Sequence, residues 1–259
     1  MNIDFSKPTD IFSVISTVIS VLAFFRPEIT ALYQRLFKKL ELSYIPDGYI
    51  YLFFNSSGPY FRLYSSIEAK NQETVLKKID VSVCRNLDGR RLNLKWSNFV
   101  MPYYQQTPNG LTSGMEVAHP LTIEKNKMQP LFIEFGKEYV ATDSLDVDYY
   151  QKIKEIKASS QNYEEAYNKL IKTTEYSRFR ERLENEKFWL SGSYSLKVYI
   201  YHDNMQKKEF SYNFVLDSVM CERFGGNVEE ALVAHLKQYY SKELYFFVPT
   251  IVLNEDNNN

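Results

Sequence analysis

At 259 residues, with 31 basic and 32 acidic side chains, the chain suits one large domain or two small ones. It lacks the basic surplus with which nucleic-acid binders meet phosphate. Its 21 Tyr and 18 Phe, against only nine Gly and nine Pro, exclude a low-complexity chain and favour half-buried strands. Two cysteines, Cys84 and Cys221, are too few for a disulfide framework and suit a reducing compartment.

A charge-free run, Ile11 to Phe25, lies between Asp10 and Arg26 near the start of the chain. As a helix it rises about 22 Å, short of a bilayer core of roughly 30 Å. Three features still favour a single membrane helix. Arg26 can snorkel, "FSKPT" can add about a turn, and no charge marks an outer face. Ser13, Ser16, Thr17 and Ser20 share one face, and Ser16 and Ser20 form a small-xxx-small pair through which helices could pack into a homo-oligomer. The other readings are a soluble or interfacial helix and a cleaved signal. The signal suffers from the acidic Asp4 and Asp10 and from the lack of a cleavage site. Pro27 then opens an amphipathic pattern, with Ile29, Leu32, Tyr33, Leu36, Phe37 and Leu40 on one face. That second helix either lies on headgroups or docks on the body, and Glu28 and Glu41 favour docking. The basic flank after the run would put the body on the cytoplasmic side of an inner membrane as a single-pass protein. If the run is a docking element instead, the chain is cytoplasmic.

From Leu42 the sequence changes to strand-like runs: 48–55, 61–69, 74–86, 91–99, 130–136, 192–202 and 208–216. Ser56-Ser57-Gly58-Pro59 and Asp88-Gly89 are turn signals. Residues from Asp143 to Lys187 read as helical, broken at 159–162, with Asp146 and Asp148 in the first turn. A further helix is expected to start at an Asn227 cap after Gly225-Gly226. The stretch "LYFFVPTIVL" reads as an edge strand because of Pro249. The expected class is mainly β with helical additions (α+β): an antiparallel β-sandwich, a helical insertion and an N-terminal hydrophobic helix. The expected units are 1–41 (membrane or docking helix plus amphipathic helix), 42–253 (sandwich with the insertion at about 143–187) and a disordered tail at 254–259.

The stretches "YIYLFFNSSGPYFRLYSSIEA", "VLKKIDVSV", "LKWSNF" and "GSYSLKVYIY" carry a resemblance, through Asn55, Gly58, Pro59, Leu63, Trp96, Phe99, Gly192 and Tyr194. They resemble a group of bacterial proteins of unassigned function with a short N-terminal membrane helix and a cytoplasmic β-sandwich. The resemblance implies architecture and transfers no chemistry.

Three histidines (His119, His202, His235) are scattered, and no nucleophile elbow, phosphate loop, dinucleotide fingerprint or metal-ligand spacing occurs. The reading is therefore no enzyme, no cofactor and no metal. One irregular stretch, 100–120, carries Met101, Tyr103, Tyr104 and Met115, residue types suited to a contact loop. It either binds a partner or folds back over an open end of the sandwich. The expected function is a membrane-anchored binding, scaffold or sensor protein that meets the bilayer and a protein partner but no nucleic acid. The alternatives are a soluble subunit docking its N-terminal helices on a partner enzyme, or a membrane-perturbing effector such as a toxin or phage-defence protein.

Overall fold

The computed structural model describes residues 39–107, 110–137 and 144–256, together with Phe12, Ile15, Ser16, Ile19, Ser20, 23–28, Thr30 and Tyr33. The side chains of 101–113, 144 and 204 are not among those described.

Twelve strands are described: β1 (Glu41–Asn55), β2 (Gly58–Lys70), β3 (Thr74–Leu76), β4 (Lys78–Arg85), β5 (Arg91–Thr107), β6 (Gly110–Val117), β7 (Leu121–Ile123), β8 (Met128–Gly136), β9 (Gly192–His202), β10 (Gln206–Leu216), β11 (Thr250–Val252) and β12 (Asn254–Glu255). Their alternating burial follows the two-residue period of the sequence: Phe61, Leu63 and Ile67 of β2 face inward and Tyr60, Arg62 and Tyr64 outward. The expected two-sheet sandwich does not form. Ten strands make one antiparallel sheet in the order β11-β1-β2-β8-β5-β4-β9-β10-β12, with β6 on β5, and only β3 and β7 pair separately. The sheet curls into a nearly closed barrel.

The closure has a topological cause. The path from β1 to β10 is an odd run of seven antiparallel strands, so its two end strands point the same way. They cannot pair antiparallel with each other. The C-terminal segment supplies the missing strand, first pairing with β1 (Tyr51↔Thr250) and then with β10 (Tyr212↔Glu255). Leu253 donates to the Gly48 carbonyl at 2.8 Å, and Asp256 to the Ser211 carbonyl at 3.1 Å, so one strap stitches both edges.

Four helices cover the barrel: α1 (Ser144–Ala158), α2 (Tyr163–Leu170), α3 (Thr174–Asn185) and α4 (Ser218–Tyr239). Asn162 and Thr173 cap α2 and α3 by accepting from backbone N–H groups three residues on. The stretch read as one second helix is thus two. Trp189, past α3, meets the inward-facing rings of Phe61, Tyr194 and Phe214, and its indole N–H donates to the Phe53 carbonyl at 3.1 Å. Helices and sheet share one core, in which Tyr149 stacks on Phe179 with centroids 4.1 Å apart and donates to the Leu232 carbonyl.

Several expectations are corrected. No helix among the described residues is long and apolar enough to cross a membrane. This overturns the transmembrane helix and, with it, single-pass inner-membrane localisation; the uncharged run falls short of the roughly 20 apolar residues a span needs. Ser20 donates to the Ser16 carbonyl one turn back, at 2.8 Å, within its own chain. Ser13 and Thr17, and residues 34–38 of the amphipathic pattern, lie outside the described residues. Residues 100–107 and 110–117 are no irregular loop: β5 runs on to Thr107 and pairs back with β6 (Thr107↔Gly110). Asn227 does not start a helix. The cap is Asp217, whose carboxylate accepts from Met220 N–H at 2.7 Å, and α4 runs straight through Gly225-Gly226. Of "LYFFVPTIVL", only Thr250–Val252 is strand.

Candidate binding cleft

The strand registers build a polar row on the outer face of the barrel. Arg62 of β2 lies directly opposite Glu134 of β8, and Glu134 opposite Asn98 of β5. Arg62 Nε donates to Glu134 Oε2 at 2.9 Å and Asn98 Nδ2 to Oε1 at 3.0 Å, so both carboxylate oxygens are held. The Arg62 and Glu134 side chains are only 17% and 12% exposed. The Arg62 guanidinium also sits 4.7 Å from the centre of the Phe53 ring, on which Tyr60 stacks at 4.9 Å.

The helices supply the opposite wall. Arg182 of α3 reaches the Ser56 carbonyl with Nη2, at 2.6 Å, and Asp146 of α1 with Nη1, also at 2.6 Å. Glu186, just past α3, pairs with Lys137 at 3.0 Å. The β1–β2 turn fits under these groups because position 58 is glycine: φ is +94°, and a Cβ there would overlap the Glu186 carboxylate. Asn55 shapes the turn by accepting from Ser57 N–H at 2.8 Å.

Between sheet and helices lies a cleft of about 440 Å³, lined by Tyr60, Arg62, Asn98, Glu134, Asp146 and Arg182 among others. Its carboxylates each carry a cationic partner. Burial, reinforced by the Glu134 charge, pushes the Tyr60 phenol up to about 12, so its hydroxyl is protonated at neutral pH. The cleft therefore offers paired charge, amides and hydroxyls rather than a net charge.

Met115, on β6, is the one expected contact residue placed at this cleft, and it is half exposed. The side chains of Met101, Tyr103 and Tyr104 lie outside the described residues; their backbone belongs to β5. The N-terminal Ser16 and Ser20 do not line it. Arg62, Asn98 and Glu134 carry no signal in the sequence because strand register and not spacing joins them, and Arg182 meets Asp146 and Ser56 only through the packing of the helices. In the sequence Asp146 reads only as a first-turn acid, and Gly58 as part of a turn signal and of the stretch that carries the resemblance. Elsewhere, burial pushes the Cys221 thiol up to about 11, and no cluster of three metal-ligating side chains occurs among the described residues.

No family model and no curated protein matches the chain. Among solved structures, it is similar to the sporulation control protein Spo0M of Bacillus subtilis at 7% identity and a TM-score of 0.27, over 73% of this chain and 54% of that one. It is also similar to a family 123 glycoside hydrolase of Clostridium perfringens at 12% identity and a TM-score of 0.31, over 70% and 27%. The chain thus spans about half of the first and about a quarter of the second. Neither likeness carries fold or function over to it.

Proposed function

We propose that this chain is a binding module rather than a catalyst, and that its ligand is a neutral, hydrogen-bonding small molecule held in the cleft. The observation that carries this reading is the mutual neutralisation of Arg62 with Glu134 on the sheet wall and of Arg182 with Asp146 on the helical wall. A charged ligand would have to break one of these pairs and leave a desolvated charge behind. A neutral polyol or nucleoside meets donors and acceptors already fixed in place, with the Tyr60 ring, braced by Phe53, on the cleft wall. The test is a thermal-shift panel of neutral sugars, nucleosides, organic anions and polyamines at millimolar concentration. A neutral compound should raise the melting temperature, and Tyr60→Phe with Asn98→Ala should abolish the shift. A shift confined to the charged compounds sinks the reading.

A second reading has its own observation. Phe12, Ile19 and Phe24 are 72%, 59% and 75% exposed in the helical N-terminal stretch. Large apolar side chains left uncovered favour docking on a partner protein. Phe12→Ser with Phe24→Ser should then abolish co-purification of that partner; an unchanged set of co-purifying proteins counts against it.

A further inference from the structure

The strap closes only part of the barrel. Below its last contacts, β1 and β10 face each other across a groove of about 500 Å³ lined by Glu41, Tyr44, Lys208, Glu209, Glu255 and Asp256 among others. Among the described residues, 41–46 of β1 and 206–210 of β10 have no strand on their outer sides.

The direction of the backbone there follows from the neighbouring contacts. The Tyr44 carbonyl accepts from the Tyr212 hydroxyl across the groove at 3.2 Å, so the peptide edges of Tyr44 and Leu42 point into it. The Ser211 carbonyl meets Asp256, so Glu209 and Lys207, two and four residues earlier on β10, present their edges to the same space. Two edges running in the same direction form a slot that takes a strand antiparallel to both. The strap already occupies the upper half of that slot in this orientation.

The rim sets the charge of the occupant. Lys208 stands against Glu41 and Glu255, while Glu209 is paired with Lys197 at 2.6 Å. We propose that the lower seam between β1 and β10 is a docking slot for an extended basic segment of a partner protein, which adds the strand that completes the barrel. Main-chain hydrogen bonds to two edges provide binding energy independent of sequence. The acidic rim selects lysine- or arginine-rich strands and makes the association sensitive to salt.

The test uses the full chain and a fluorescein-labelled hexapeptide alternating lysine and valine, read by fluorescence anisotropy. Saturable binding is expected, weakening in high salt and absent for the matching glutamate–valine peptide. Glu209→Pro removes one N–H from the slot and leaves the β9 ladder intact; it should weaken binding by about tenfold or more. Because a proline can disturb the strand, a second variant is needed. Glu41→Lys with Glu255→Lys changes two exposed side chains and should give a comparable loss at an unchanged melting temperature. Removing Asn257–Asn259 should leave the affinity as it is. Equal binding of the acidic peptide, or unchanged binding in the charge-reversed variant, overturns the proposal. So does binding that emerges only after 257–259 are removed, which would make the chain's own tail the occupant. Self-association of the chain in place of peptide binding would make the occupant a second copy and overturn it equally.

Discussion

Asn227 shows how much one side chain can organise. It is 1% exposed, and its amide forms two bonds with the Phe247 backbone, donating to the carbonyl and accepting from the N–H, both at 2.8 Å. Glu230, one turn on, accepts from Tyr245 N–H and from Lys237. Together they clamp the otherwise irregular 245–247 against α4. Asn227→Ala leaves a half-buried N–H and a half-buried carbonyl of Phe247 without their partner, at a cost of about 1 kcal/mol for each group. Urea denaturation should show the loss, and amide exchange at 245–248 should accelerate. His202 acts through its protonation. It is buried at the end of β9, and desolvation holds its pKa below the ordinary 6.5; His235 is lowered too, by burial and then by Lys157. A base whose pKa is depressed on folding binds fewer protons folded than unfolded, so stability falls as pH drops below about 6.5. The urea midpoint should be lower at pH 5.5 than at pH 7.5, and less so in His202→Phe. A midpoint that rises on acidification would refute this assignment.

At the scale of elements, the sequence and the structure part company where local signals compete. The two-residue alternation was legible for most strands, and the Asp88-Gly89 turn joins β4 and β5 as expected, with Gly89 at φ +70°. The 159–162 break was legible because Asn162 is a capping residue. The start of α4 was not. Gly225-Gly226-Asn227 has the composition of a helix boundary, but Val228, Leu232 and Leu236 are buried along with Phe224 before the glycines. Burial on both sides of the pair outweighs the propensity cost of about 1 kcal/mol for each glycine. Asp217→Ala should therefore cost about 1 kcal/mol through lost capping, a loss that substitution at Asn227 cannot mimic by fraying the first turn. The β1–β2 turn gives a sharper test. Gly58→Ala meets a left-handed backbone and displaces the end of the Glu186 side chain, so it should destabilise by about the 1 kcal/mol of a strained φ. It should also loosen the Lys137–Glu186 side of the cleft, seen as lost ligand protection in the thermal-shift assay.

At the scale of the whole molecule, closure and cleft were both beyond sequence reading for the same reason. Arg62 and Glu134 are 72 positions apart, and Tyr212 and Tyr44 are 168 apart. Spacing carries no information over such distances; only register does. The α+β class could be read, because composition and period are local, while the single curled sheet could not. The strap gives this a measurable form. Ile251 and Leu253 are 5% and 7% exposed, and Ile251→Asp should cost several kcal/mol by burying a carboxylate. Its effect should spread to β1 and β10 together, as measured by exchange at Ile50 and Asn213, whereas a cleft variant should leave both untouched.

Folding inherits a consequence from that strap. Tyr51 and Thr250 meet across about two hundred positions, so their pairing carries a large loop-closure cost and belongs to the end of the folding reaction. Until then the chain is an open sheet with two unguarded edges pointing the same way, each ready to accept a strand from any neighbour. Aggregation should thus compete with folding at one late step, and refolding yield should fall with protein concentration, although in the finished barrel the strap guards the middle of both edges.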